Sequence, residues 1–222
     1  MGLIAKKRAA VEIPPLEAGT YTAVCIGIVD LGEQLNTVYK KYQDTVSLTF
    51  EFVDETIERG NGPEPRWISK EYTKTLGEKS NLYRDLKAWL GGLTEAQLEA
   101  YDISTLMGQG CLASVEVKEG REGRIKNTIT GIMALPKGMP KPVSKSQPFL
   151  FNMDDESTYP VLQTIPQFLR DKVEKSTTWA RKQAGSEEMT IEEDDPAEEQ
   201  AAPRGIDPDT GEILRMDDEP AF

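Results

Sequence analysis

The chain has 222 residues, with 26 Lys plus Arg against 38 Asp plus Glu and a net charge of −12. That excess is local: residues 185–222 carry 14 acidic and 2 basic side chains, while residues 1–184 carry 24 of each. No run of 18 apolar residues is present, which excludes a membrane-spanning helix, and the complete lack of His removes Ser-His-Asp and Cys-His catalysis and His-ligated zinc.

The remaining composition narrows the class further. Cys25 and Cys111 sit in apolar, strand-like stretches and read as small buried hydrophobes in a reducing cytosol, not as a disulfide or metal site. The first residues, MGLIAKKRAAVEIPP, show no apolar signal core, so the expected location is cytoplasmic.

Taken in chain order, residues 1–13 form a mobile basic arm with Lys6, Lys7 and Arg8, and residues 14–136 form the main domain. Gly19 to Val29 is rich in Thr, Val, Ile and Tyr and reads as a strand. Residues 30–43 are a polar connection. In Thr45 to Val53, Val46, Leu48, Phe50 and Phe52 alternate with Thr45, Ser47, Thr49 and Glu51, the pattern of a strand with one buried face. Asn61-Gly62-Pro63 breaks the chain, and Arg66 to Leu76 reads as a third strand.

The period then becomes helical. Ser80 is the expected N-cap of a helix to about Leu90, with Leu82, Tyr83, Leu86, Trp89 and Leu90 on one face; Gly91-Gly92 ends it, and Thr94 caps a second short helix. Leu112 to Val117 and Arg124 to Leu135 are two further strands around a hairpin loop at 119–123. Three strands, helices, then two strands is the element order of an OB-fold, a five-stranded Greek-key barrel with a helix between strands 3 and 4, so the expected class is mainly β. Residues 137–158, with Pro140, Pro142 and Pro148, read as a Pro-rich linker. Residues 159–184 read as one helical segment with Ile165, Phe168, Leu169 and Val173 as its apolar side, and residues 185–222 as a disordered acidic tail.

Enzyme motifs fail on inspection, and the chain is read as a non-enzyme with no cofactor and no metal. Leu76-Gly77-Glu78-Lys79-Ser80 lacks the order of a phosphate loop. Asp207, Asp209 and Glu212 lack calcium-loop spacing. Nothing desolvates Asp154-Asp155-Glu156 into a catalytic pair.

Cations interleaved with aromatic rings are the stronger signal. A period of 2 places Arg66, Ile68, Lys70, Tyr72 and Lys74 on one strand face. Lys and Arg along a strand track phosphates while rings stack on bases, the pattern suited to single-stranded nucleic acid. Tyr39-Lys40-Lys41-Tyr42 has the same character in the first connection. Lys40, Lys41, Arg66, Lys70, Lys74 and Lys126 are the expected phosphate contacts, and Tyr39, Tyr42 and Tyr72 the expected stacking rings. Trp67 is left between a core anchor and a stacking platform, because a register shift of one residue moves it to the other face.

The chain ends Met216-Asp217-Asp218-Glu219-Pro220-Ala221-Phe222, which resembles the acidic, Phe-terminated tip of bacterial single-stranded DNA-binding proteins, although Ala221 here separates Pro from Phe. GTYTAVCIGIVDLG, SLTFEFVDE, PRWISKEYTKTLGEKSNLYRDLKAWLGG and QTIPQFLRDKVEKSTTWA, within about residues 15–180, are similar to bacteriophage-encoded proteins of replication and recombination. That resemblance implies a phage single-stranded DNA-binding protein with an OB-fold. Asp217, Asp218, Glu219, Pro220 and Phe222 are then the expected contacts to replication or recombination partners. The competing reading is an adaptor or inhibitor that binds no DNA and engages host or phage proteins through the acidic tail. The sequence leaves homo-oligomerisation open and offers nothing for a membrane.

Overall fold

The computed structural model describes residues 14–37, 39–59, 62–119 and 125–188. The chain divides into two units, Met1–Ala184 and Gly185–Phe222, and the fold below is that of the first. Its strands are β1 (Gly19–Asn36), β2 (Lys41–Arg59), β3 (Gly62–Thr73), β4 (Gly110–Glu119), β5 (Ile125–Met133) and β6 (Phe149–Phe151). Helix α1 (Asn81–Leu90) and helix α2 (Glu95–Glu99) lie between β3 and β4, and α3 (Gln167–Glu174) and α4 (Thr177–Glu188) follow β6.

The main sheet is antiparallel in the order β3-β2-β1-β4-β5, and β6 joins it parallel to β1. The sheet curls into a half-barrel, so that the outermost strands meet: Lys70 Nζ on β3 donates to Thr130 O on β5 at 3.3 Å. Register shifts in β1 at Cys25/Gly27 and Asp30/Gly32, in β2 at Phe52/Thr56 and in β5 at Thr130, opposite Ser114/Val115, supply the bends, since a bulge turns its strand and adds twist. At the other end of the seam the chain before β1 bridges the gap. Asn127 of β5 accepts from Leu16 N–H at 2.8 Å and donates to Leu16 O at 2.9 Å, while Arg66 of β3 donates to Pro14 O at 2.8 Å.

The expected strands form and extend further than their apolar patterns. Val46, Leu48, Phe50 and Phe52 all point into the concave core with Ala23, Cys25, Ile28, Tyr72, Leu82, Leu86, Trp89, Cys111, Ala113, Val115, Ile129 and Ile132. Both helix caps form as read: Tyr83 N–H donates to Ser80 Oγ at 3.1 Å, Gly91 ends α1 at φ 77°, and Thr94 makes a capping box with Gln97.

The segment after β5 differs from the reading. Residues 137–158 do not run as a plain linker, because Phe149, Leu150 and Phe151 pair with Gly27, Ile28 and Val29. Residues 159–184 are not one helix either. A 3-10 stretch, Glu156–Gln163, leads into α3, and Ser176 interrupts: its Oγ accepts from Trp179 N–H at 3.1 Å, starting α4 anew. Together these elements cover the convex side of β1 and β2. Val24, Ile26, Val29 and Leu31 of β1 pack there against Phe151, Met153, Leu162, Ile165, Leu169 and Val173. This explains the continuous apolar run of β1, which is buried on both faces. It also buries the polar side of β2. Glu51 accepts from the backbone N–H groups of Lys145 at 2.7 Å and Ser146 at 3.0 Å, and Thr49 Oγ1 meets Ser69 Oγ at 2.8 Å. No helix among the described residues is long and apolar enough to cross a membrane.

Three buried acids give the fold a pH signature. Burial pushes the Cys25 thiol up to about 12 from 9.0. Burial also raises Cys111, with Cys25 adding to it, and raises Tyr72, with the neighbouring Asp85 carboxylate adding to it. The folded state therefore favours the neutral forms. That stability is complete below the unfolded values and is lost as pH rises above about 9, by up to about 1.4 kcal/mol per pH unit for each group. Urea midpoints are expected to hold between pH 6 and 8 and to fall above pH 9; an unchanged midpoint at pH 11 would contradict this burial.

Candidate nucleic-acid interface

The alternation in β3 puts Arg66, Ile68, Lys70 and Tyr72 on one face as read, but that face is the concave, inner one. Tyr72 is 2% exposed, with its hydroxyl donating to Asp85 Oδ2 at 2.7 Å. Its ring belongs to the core and presents nothing to a base. Lys70 Nζ sits 2.6 Å from Asp85 Oδ2 and 5.2 Å from the Tyr72 ring centroid, so its charge is answered inside the fold. Lys74, just past β3, pairs with Asp30 at 3.0 Å. Arg66 is turned inward onto Pro14 O. The face is inner because Ile68 and Tyr72 are drawn to the core and carry their basic neighbours with them; α1 then supplies Asp85 as the counter-charge.

Two other surfaces gather the remaining sequence-picked residues. The first is the β1–β2 hairpin tip. Leu35 pairs with Tyr42 and Asn36 with Lys41, and Tyr39 N–H donates to Asn36 Oδ1 at 3.2 Å. Lys40 makes the turn in the left-handed region at φ 51°. Tyr39 is 70% and Tyr42 58% exposed, Lys40 and Lys41 are exposed beside them, and neither lysine has an ion pair among the described residues. A groove runs from this tip past Gln43, Thr73 and Thr75 to Lys79 and Ser80 before α1.

The second surface is a groove of about 580 Å³ between two hairpin arms. Arg66 and Trp67 lie on the β2–β3 arm, Ile125 and Lys126 on the β4–β5 arm, Pro14 and Pro15 on the segment between them, and Phe168 of α3 completes the lining. Trp67 resolves as neither of its two readings in pure form. It lies on the convex side, 40% exposed, donates Nε1–H to Ser146 Oγ at 3.0 Å, and packs on Phe149 with ring centroids 6.0 Å apart. Lys126 is exposed and has no ion pair among the described residues.

Glu71 lines both grooves and is paired with Lys172 of α3 at 2.5 Å, so the negative charge at their junction is neutralised. From Arg66 to Thr73 the path along β3 spans about 23 Å at roughly 3.3 Å per residue.

Phe168 was read with the apolar stripe of its helix. Ile165, Leu169 and Val173 are buried as that stripe requires, whereas Phe168 stays 51% exposed at the groove. The available signal was its offset of one position from an i, i+4, i+8 series. Ile125, 59% exposed beside Lys126, lines the same groove and carried no sequence signal. Asp217, Asp218, Glu219, Pro220 and Phe222 lie outside the described residues.

Comparison with protein-family models, curated proteins and solved structures finds no match for this chain.

Proposed function

We propose that this protein binds single-stranded DNA without sequence preference, on an OB-like barrel, and serves phage DNA replication or recombination in the host cytoplasm. The strand order β3-β2-β1-β4-β5, with a helix between β3 and β4 and a seam between β3 and β5, supports the OB-like reading. The observation that carries the function is the hairpin tip: two exposed Tyr rings flank two exposed lysines that no carboxylate pairs among the described residues. Such a tip provides stacking and phosphate neutralisation, the two ingredients of single-strand binding. The acidic segment 185–222 lowers affinity by competing electrostatically for the same lysines and recruits partner proteins.

The test is fluorescence anisotropy of a labelled oligo-dT strand with the full-length protein across a salt series. The Lys40→Ala/Lys41→Ala pair is expected to flatten the log K against log salt slope by about 1.4, at roughly 0.7 per phosphate contact on a single strand. Lys40→Gly separates charge from fold, because Gly relieves the left-handed φ while removing the cation. Its stability is expected to match or exceed the wild type and its affinity to fall. Wild-type affinity in these variants would remove the tip from the site. The internal pairing of Lys70 and Lys74 favours a second reading, an adaptor working through residues 185–222. It requires that the full-length protein bind no strand at all.

A further inference from the structure

The groove between the hairpin arms contains a charge that no described residue answers. Arg66 is only 8% exposed. Among the described residues its sole hydrogen bond runs from Nη2 to Pro14 O at 2.8 Å, and Nε has no partner. No carboxylate among the described residues forms an ion pair with it. Of the two acidic residues on the groove, Glu71 is already bound to Lys172, and Glu64 forms no ion pair with Arg66 among the described residues. Lys70, by contrast, shares its interior with Asp85. A guanidinium held out of water on a single carbonyl is costly unless an anion joins it. Its planar fork matches the oxygens of a phosphate. Lys126, exposed and unpaired, lines the same groove from the opposite arm. The lining also includes two large, half-exposed rings, Trp67 and Phe168.

We propose that this groove seats one nucleotide unit of the bound strand, with its phosphate taken by Arg66 and Lys126 and its base laid against Phe168 or Trp67. The inference rests on the single-strand reading above and deepens it, because it makes α3 part of the binding site. The C-terminal cover that closes the convex side of β1 and β2 then contributes a stacking ring instead of only shielding the sheet. Barrel and cover bind the strand jointly, and loss of the cover is felt as loss of affinity.

The experiment uses the full-length protein and three probes: a labelled oligo-dT strand, thymidine monophosphate and inorganic phosphate. Phe168→Ala and Lys126→Ala replace exposed side chains and leave the fold intact. Phe168→Ala is expected to weaken the oligomer about tenfold, and Lys126→Ala to reduce the salt slope by about 0.7. Arg66→Lys keeps the charge and loses the fork, and is expected to weaken all three probes. Thymidine monophosphate is expected to quench tryptophan fluorescence at concentrations where inorganic phosphate does not, and the quench to vanish in Trp67→Phe.

If the oligomer binds but Phe168→Ala and Lys126→Ala match the wild type, the groove assignment is overturned while the hairpin-tip reading survives. Equal binding of phosphate and thymidine monophosphate reduces the groove to a bare anion site and overturns the base contact. Quenching by thymidine monophosphate without oligomer binding supports the nucleotide seat and overturns the single-strand reading.

Discussion

Gly27→Val is expected to unseat β6 and the cover that follows it, lowering stability by roughly 3–5 kcal/mol. A Cβ built on Gly27 falls 2.2 Å from Phe149 Cζ, with two more ring atoms within 2.9 Å. The ring is constrained: Phe149 is paired to Gly27 along the backbone and its ring packs against Trp67. Overpacking a fixed site costs about 1–3 kcal/mol. If Phe149 leaves, the burial of a Phe side chain is lost as well, a change of about 3–5 kcal/mol in core substitutions. The effect is read in two ways, as a drop in the urea midpoint and as faster proteolytic cutting within residues 137–158. Gly131→Ala is the control, since a Cβ there meets nothing within 4 Å. Equal protease resistance in Gly27→Val would show that the cover is not seated by Phe149.

The second large effect lies across the seam. Asp85 accepts from both Lys70 Nζ and Tyr72 OH, and Lys70 also reaches Thr130 O. One carboxylate on α1 thus ties β3 to β5 through Lys70. Both side chains of the ion pair are only 14% exposed. Asp85→Ala leaves an ammonium and a phenol without their partner and is expected to cost roughly 3–5 kcal/mol, the range for breaking a buried pair from one side. The double change Lys70→Met/Asp85→Leu removes both charges and is expected to recover most of the loss. A single variant as stable as the wild type would show that the pair is hydrated and that the seam is held by other contacts.

These two clusters also mark where the sequence is legible and where it is not. Local signals were readable because they act over a few residues: the alternation of Val46 to Phe52, the Ser80 cap and the Thr94 capping box all form. The parity of β3 was readable too. What alternation cannot supply is the sign, meaning which of the two faces is inner. Arg66, Lys70 and Tyr72 share a face that Ile68 and Tyr72 draw into the core, where Asp85, supplied by the following helix, answers Lys70. The cover was hidden for a related reason. Its Pro-rich composition is that of a linker, and the glycines shaped to receive it, Gly27 under Phe149 and Gly110 under Pro142, lie far away in sequence. Complementarity between distant segments leaves no periodic trace. The hairpin tip was legible as a candidate site because exposed Tyr and Lys in a turn need no distant partner. Phe168 was not, because only packing separates a buried ring from an exposed one on the same helix.

The most direct test of the central claim is photocrosslinking of an iododeoxyuridine-substituted single strand to the full-length protein, with the adducts located by mass spectrometry. The account expects adducts on Tyr39 or Tyr42 at the hairpin tip and on Trp67 or Phe168 in the groove, since Tyr39, Trp67 and Phe168 line the two grooves that share Glu71 and Tyr42 is exposed beside Tyr39. A folded protein that binds the strand but crosslinks at none of the four would contradict it.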